Sequence, residues 1–293
     1  MKRIAFLLTL LVLLTGCAPA ASSSQVVATT RPVYDFTSRL CENTDISVSL
    51  LVTQSVSCLH DYTLQVQQMR AVENCSLLVL SGGGLEEFLA DILPAATAVC
   101  DASAGITLIS CDISHEHDHD HAQAEHHHSL DPHTWLSPYN AKNMAENICS
   151  SLSEAFPAYS EVFTDNLLHL LDELDALAQY GQAKLSKLDN TQLLTFHDGF
   201  SYFADTFHLS ILRSVEEESG SEASAADLLE LITLVEENHL PAIFTEAQGS
   251  VAAASIIAAE TGAAIFSLDM AMGERDYFTA MYHNIDTIEE ALG

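Results

Sequence analysis

Short runs rich in β-forming residues alternate with amphipathic helical runs along most of this sequence, and no other feature restricts the fold as strongly. The predicted strands are Gln25–Thr30, Ile46–Val52, Ser76–Leu80, Ile106–Ser110, Thr191–Phe196, Leu209–Leu212, Ala242–Glu246 and Ala264–Leu268. The predicted helices are Val33–Cys41, Thr63–Val72, Leu85–Leu93, Tyr139–Ala155, Phe200–Phe207, Ala223–Glu237, Ser250–Glu260 and Tyr277–Leu292. Alternation of this kind predicts βαβ units and parallel sheets covered by helices.

A longer helical pattern, from about Ser160 to Leu188, separates the two series of strands. Its apolar residues recur at steps of four and three and form one stripe: Phe163, Leu167, Leu170, Leu174 and Leu177. We therefore predict an α/β fold of two lobes, each a mainly parallel sheet flanked by helices, joined by one long helix. The predicted N-terminal lobe covers residues 26–158, the connecting helix residues 159–188 and the C-terminal lobe residues 189–293. A bundle or coiled-coil helix is the weaker alternative, because no comparable heptad partner exists elsewhere in the chain.

The N-terminus predicts export from the cytoplasm. A basic start at Lys2 and Arg3 precedes an apolar run that is too short to span a bilayer permanently. Leu-Thr-Gly-Cys then resembles the lipobox of bacterial lipoproteins, which implies cleavage before Cys17 and acylation of that residue. We predict a signal peptide at residues 1–16, a lipid-anchored tether at residues 17–25 and an extracytoplasmic, membrane-anchored location. The alternative is an ordinary signal peptide with an incidental cysteine.

Charge and cysteine content limit the partners and the metal chemistry. Removal of residues 1–16 leaves 8 basic and 41 acidic residues, a formal charge of −33. Such a surface repels nucleic acid and attracts cations. No C-x-x-C motif occurs among the six later cysteines, so a zinc ribbon or finger is unsupported. Disulfides are compatible with export, but the sequence does not select a pairing among Cys41, Cys58, Cys75, Cys100, Cys111 and Cys149.

A histidine-rich tract occupies residues 114–129 and lies inside the chain, so it is no expression tag. Its seven histidines are His115, His117, His119, His121, His126, His127 and His128. A dense polar tract of this kind cannot enter an apolar core, and neutral imidazole is the commonest side-chain metal ligand. We interpret the tract as an accessory loop that collects metal. The alternative is a solvated insert without a metal role.

Four metal-capable residues follow predicted strands or lie in the loops between them. They are His60, His133, His197 and Asp269. Proteins with parallel sheets bind their small molecules and ions at the carboxyl ends of the strands. A set of three imidazoles and one carboxylate suits zinc. Asp61 or Asp198 could orient the imidazoles by hydrogen bonds. Each histidine taken singly is more often structural, and the spacing does not show that the four converge.

The motifs along the chain resemble the metal-specific solute-binding lipoproteins of bacterial ABC importers, the zinc/manganese group. The resemblance extends from about Val26 to Leu292. It rests on TRPVY at residues 30–34, HDY at 60–62, DPHTWLSP at 131–138, FHDGFSYFA at 196–204, IFTEAQGS at 243–250 and the ending after residue 269. It implies two α/β lobes joined by one long helix, with the metal between the lobes.

By this resemblance His60, His133 and His197 are the metal ligands, and Asp269 matches a position where the family often supplies a carboxylate. Manganese-binding members often carry Glu at the third histidine position, so His197 favours zinc. The chain departs from the family at Leu59, where some zinc-binding members have Glu. Cys58 is a less favoured candidate for a thiolate ligand, and Glu246 is assigned a structural or supporting role.

We therefore predict an extracytoplasmic solute-binding protein that captures Zn²⁺ between two lobes and delivers it to an ABC-type permease in the membrane. No catalysis is expected, nor any nucleic-acid partner, and the chain is expected to be a monomer. A zinc hydrolase would need an open ligand position and a general base, and H-E-x-x-H is missing. The remaining alternatives are a manganese- or iron-binding protein of the same class and an adhesive lipoprotein that merely holds zinc.

Overall fold

The structure is a computed structural model that describes residues 25–54, 59, 62–110, 130–216, 223–247 and 251–293. Several predicted features lie outside the described residues: the signal peptide, Cys17 and most of the tether, Cys58, His60, Asp61, Cys111 and the seven histidines of the tract. Within the described ranges, no helix is both long and apolar enough to cross a membrane.

The N-terminal sheet has four parallel strands in the order β2-β1-β3-β4. The strands are β1 (Val26–Ala28), β2 (Val48–Leu50), β3 (Leu77–Leu80) and β4 (Val99–Asp101). Helices α1 (Arg31–Leu40) and α2 (Val66–Asn74) lie between the first three strands, and α3 (Pro138–Ala155) follows the fourth. The central strand β3 is buried along its whole length, as expected for a strand covered on both faces.

Two elements predicted for this lobe are wrong. In place of the predicted helix Leu85–Leu93 there are two 3₁₀ turns, at Glu87–Leu89 and Leu93–Ala95, because glycines precede the segment and Pro94 follows it directly. The predicted strand Ile106–Ser110 does not join the sheet, and the fourth strand is β4. The N–H of Ile109 donates to the Tyr202 hydroxyl of the other lobe (3.0 Å), and Ser110 forms an isolated antiparallel bridge with Leu130. These partners occupy the backbone groups that a sheet would need.

The C-terminal sheet repeats the arrangement, with four parallel strands in the order β6-β5-β7-β8. The strands are β5 (Gln192–His197), β6 (Ser210–Glu216), β7 (Ala242–Glu246) and β8 (Ala264–Leu268). The helices of this lobe are α5 (Ser201–Phe207), α6 (Ala225–Glu237), α7 (Ala252–Thr261) and α8 (Tyr277–Leu292). Strand β6 runs beyond its predicted end at Leu212 because its pairing with β5 continues to His197 and Glu216.

Helix α4 (Ser160–Leu185) is the long helix between the two sheets. Most of its predicted apolar stripe is buried, including Phe163, Leu170 and Leu174. The helix packs against α1 and α3 of the N-terminal lobe and against α5 and α8 of the C-terminal lobe. The predicted fold of two parallel-sheet lobes joined by one long helix is thus observed.

Buried hydrogen bonds connect the lobes directly where they meet. The indole N–H of Trp135 donates to the carbonyl of Met270 (2.8 Å), and the Tyr277 hydroxyl donates to the carbonyl of Trp135 (2.9 Å). The Tyr202 hydroxyl donates to the carbonyl of Asp131 (2.8 Å). One apolar core continues from β1 to the end of α8 through this junction. The loops at the junction are therefore held in place by both lobes.

Candidate metal centre

Two predicted ligands meet at the junction of the lobes. His197 is the last residue of β5, and His133 begins the 3₁₀ turn Thr134–Leu136 that follows the Asp-Pro pair. Their Nε2 atoms lie 3.4 Å apart, with the rings nearly perpendicular at 85°. Both side chains are buried. Two imidazoles from separate lobes therefore each direct their Nε2 atom towards one point.

A buried carboxylate fixes each imidazole from behind. Asp131 Oδ1 lies 2.8 Å from Nδ1 of His133 and also accepts the backbone N–H of that residue (2.9 Å). Glu246 Oε1 lies 3.0 Å from Nδ1 of His197. A carboxylate at Nδ1 selects the tautomer with the proton on Nδ1, which leaves the Nε2 lone pair for a metal ion.

In the described residues, Asp131 and Glu246 orient the imidazoles, and Asp198 does not. Asp198 interacts with the Ser214 hydroxyl (3.4 Å), and Asp61 is not among the described residues. The supporting role assigned to Glu246 agrees with its contact to His197. Asp131 was missed, although it lies only two residues before His133, because no periodic pattern indicates the direction of a side chain in a turn.

Gly199 leaves the space in front of His197 open. A Cβ atom at this position would lie 2.7 Å from Cδ2 and 3.0 Å from Nε2 of His197, and 2.5 Å from the methyl group of Met270. Any side chain here would displace the ring or the methionine. The glycine of the F-H-D-G motif is therefore required by the closeness of β5 to the loop after β8.

Asp269 follows β8 but is engaged elsewhere. Its Oδ2 accepts from Arg275 Nη1 (2.8 Å), and its Oδ1 accepts from the backbone N–H of Ala271 (2.8 Å). The side chain of Asn284 holds the Asp269 backbone with two hydrogen bonds of 2.7 Å. In the part of the chain that the structure describes, no three His, Cys, Asp or Glu side chains form a group able to hold a metal ion. The structure thus brings His133 and His197 together and places Asp269 in an ion pair.

The family model, the similar sequences and the similar structures all point to one family of zinc-uptake proteins. Residues 26–291 match the family model described as zinc-uptake complex component A, periplasmic. The chain belongs to this family. The description of the family is that of a periplasmic component of a zinc-uptake complex. The predicted resemblance is therefore confirmed.

Individual relatives agree with this assignment. The zinc-binding protein AdcA of Streptococcus pyogenes serotype M3 is 28% identical over 292 residues, which cover 92% of this chain and 56% of AdcA. The chain thus spans about half the length of the AdcA relatives that it matches. A crystal structure of ZnuA superposes with a TM-score of 0.80 at 29% identity, over 92% of this chain and 98% of that one. Zn(II)-bound AdcA from Streptococcus pneumoniae gives 0.75 at 25% identity, over 91% and 57%. The predicted fold class is confirmed.

A further buried carboxylate, Glu86, organises the glycine-rich turn after β3. It accepts hydrogen bonds from the Thr29 hydroxyl (2.6 Å) and from the backbone N–H groups of Ser81 (2.7 Å) and Gly82 (3.1 Å). Burial raises the pKa of Glu86 to about 7. The same turn lies close to the segment that contains His133: a Cβ atom at Gly83 would be 3.2 Å from Cα of Pro132. Glu86 therefore supports the wall beside His133.

The described cysteines do not contribute to the site. Cys41, Cys75, Cys100 and Cys149 are buried free thiols. Burial raises the pKa of the Cys41 thiol to about 12, and it also raises the pKa of the other three. A metal binds the thiolate, so these groups are poor ligands near neutral pH. They act as small apolar side chains in the core.

Proposed function

We propose that this chain is an extracytoplasmic solute-binding protein that holds one Zn²⁺ ion between its lobes and passes it to an ABC-type permease in the membrane. The observation that carries the proposal is the pair of buried imidazoles, His133 and His197, whose Nε2 atoms lie 3.4 Å apart. Each ring is backed by a buried carboxylate at Nδ1. No catalytic step is required for this function.

His60, His133 and His197 are the proposed nitrogen ligands. Imidazole nitrogen suits zinc, and nitrogen-rich ligation favours zinc over manganese. Asp131 and Glu246 keep the two described rings in the zinc-binding tautomer and supply negative charge close to the bound cation. Asp269, the carboxylate predicted with the three histidines, would join them in competition with its ion pair to Arg275.

The remaining features of the chain fit the same role. Cys17 is the proposed lipid attachment point, and the histidine tract is proposed to collect zinc near the site. Ser110 and Leu130, which flank the tract, pair with each other directly beside Asp131. The acidic excess of 41 acidic over 10 basic residues attracts cations to the whole surface. We propose that the chain acts as a monomer, since one copy supplies all proposed ligands.

A competitive titration with zinc and manganese tests the proposal. The protein is the chain from Ser22 onwards, with and without residues His115–His128, measured by calorimetry and native mass spectrometry. We expect one tight zinc ion that survives deletion of the tract, is not displaced by manganese, and is lost in His133→Ala and His197→Ala. His169→Ala, which removes an exposed histidine of α4, should change nothing. Loss of all tight zinc binding with the tract would refute the ordered site.

Transport needs a separate measurement. Cells that lack the protein should accumulate less zinc from a chelated medium, and the wild-type chain should restore accumulation while His197→Ala should not. Normal accumulation without the protein would leave a zinc-holding role but remove the transport role.

A further inference from the structure

Arg275 is a cation placed beside a site that is proposed to bind a cation. Its Nη1 lies 2.8 Å from Asp269 Oδ2, and the side chain of Asp269 is 4% exposed while that of Arg275 is 46% exposed. In a chain with 41 acidic and 10 basic residues, a guanidinium group at this position opposes metal binding by charge alone. The contact therefore calls for a functional explanation.

The other ion pairs of the described lysines and arginines do not involve proposed ligands. These pairs are Arg31–Asp35, Arg39–Glu173, Lys142–Asp175, Lys184–Asp286, Lys184–Glu289 and Arg213–Glu230. Of the described lysines and arginines in these ion pairs, Arg275 is the one whose partner, Asp269, was predicted to bind the metal.

The loop after β8 is built to hold Asp269 in this pair. Its Oδ1 accepts the N–H of Ala271, whose φ of 58° is one that alanine rarely adopts. The carbonyl of Met270 between them accepts the indole N–H of Trp135. Asn284 holds the backbone of Asp269 itself. Both carboxylate oxygens thus have partners, Ala271 at Oδ1 and Arg275 at Oδ2, and any metal ion that uses Asp269 competes with these contacts.

We propose that Arg275 sets the metal selectivity of the site by withholding the Asp269 carboxylate. The inference rests on the proposed function and deepens it. Zinc is well satisfied by imidazole nitrogens, whereas manganese prefers carboxylate oxygen. The cost of separating Asp269 from Arg275 therefore falls mainly on manganese and similar oxygen-preferring cations. With the pair intact, the site presents nitrogen and selects zinc.

The test compares Zn²⁺ and Mn²⁺ affinities of the otherwise unchanged protein, by chelator competition for zinc and by electron paramagnetic resonance for manganese. In Arg275→Gln, the manganese affinity should rise by on the order of tenfold relative to the zinc affinity. Adding Asp269→Asn to this variant should abolish the gain.

Two further variants separate the pair from general effects. Arg213→Gln breaks a similar, partly exposed ion pair on β6 and should not change the ratio of the two affinities. Arg275→Lys keeps the positive charge and should keep most of the selectivity, which provides a readout if Arg275→Gln folds poorly. An unchanged ratio in Arg275→Gln, or a gain that persists after Asp269→Asn, would overturn the proposal. Tight zinc binding that depends on His197 would still stand in either case, so the two proposals fail separately.

Discussion

At the scale of single residues, the absence of a side chain at Gly199 is as important as the presence of the two imidazoles. Gly199→Ala should lower the zinc affinity by about tenfold or more, since its Cβ would lie 2.7 Å from the His197 ring and overpacking of this kind costs about 1–3 kcal/mol. Zinc competition titration measures the effect. Gly181→Ala in α4, whose Cβ would clash with the Phe207 ring of α5, is the matched control and should reduce stability but not zinc affinity. Equal zinc affinity in both variants would contradict this account of Gly199.

The carboxylate behind His197 gives a second prediction at this scale. Glu246→Gln keeps an acceptor for the Nδ1 proton but removes the negative charge, so we expect the zinc affinity to fall about tenfold. Asp131→Asn should act in the same way through His133. Isothermal titration at one pH measures both, with Glu230→Gln as a control on the surface of the same lobe. An affinity within twofold of wild type would remove Glu246 from the support of the site.

Single residues also show how far the sequence alone could predict the site. His197 was identifiable because it directly follows a predicted strand, and His133 because its segment DPHTWLSP carries the family resemblance. Asp131 and the Arg275–Asp269 pair were not identifiable, because each depends on the direction of a side chain in an irregular loop. Conformations of this kind are determined by contacts between elements that are distant in the sequence.

At the scale of elements, the glycine-rich turn after β3 makes stability depend on pH. The pKa of Glu86 is raised from 4.5 to about 7, so the folded protein binds this proton more tightly than the unfolded chain does. The contribution of Glu86 to the free energy of unfolding is therefore largest below pH 4.5, falls between pH 4.5 and about 7, and is constant above that. The slope in this window should reach at most about 1.4 kcal/mol per pH unit.

Urea unfolding of wild type and Glu86→Gln across this pH range measures the effect. The difference between the two curves should show the fall, while groups common to both proteins cancel. A difference that does not vary with pH would mean that the Glu86 carboxyl is not held protonated by burial. The absolute stability of the variant does not decide the question, since glutamine presents an N–H group towards Gly82.

The sequence predicted long, periodic elements well. It predicted poorly those segments whose backbone N–H and C=O groups bond to partners outside the sheet. Helix α4 was recognisable from its leucine stripe. Ile106–Ser110 has the composition of a strand, but its groups bond to Tyr202 and Leu130 instead of the sheet. The short strand β4 has only three residues, and one of them is aspartate, so nothing local distinguishes it.

At the scale of the whole molecule, the two lobes share one core and should unfold together. Tyr277→Phe removes the buried hydrogen bond to the Trp135 carbonyl between the lobes, which should lower the free energy of unfolding by about 1–3 kcal/mol. Calorimetry should show a single transition in both proteins, at a lower temperature in the variant. Tyr180→Phe, which removes an exposed hydroxyl from Asp286, should have a smaller effect. Two separate transitions in either protein would contradict a common core.

The bridge between Ser110 and Leu130 should allow the segment between these two residues to be replaced by another sequence. The Tyr202 hydroxyl binds the N–H of Ile109 and the carbonyl of Asp131, so both ends of the intervening segment are anchored independently of its length. Doubling the length of a flexible loop costs only about 0.6 kcal/mol. We therefore expect that an epitope or a fluorescent reporter inserted between these residues leaves the strand registers and the paired imidazoles in place. The same position would be a suitable insertion site for a reporter in a zinc sensor.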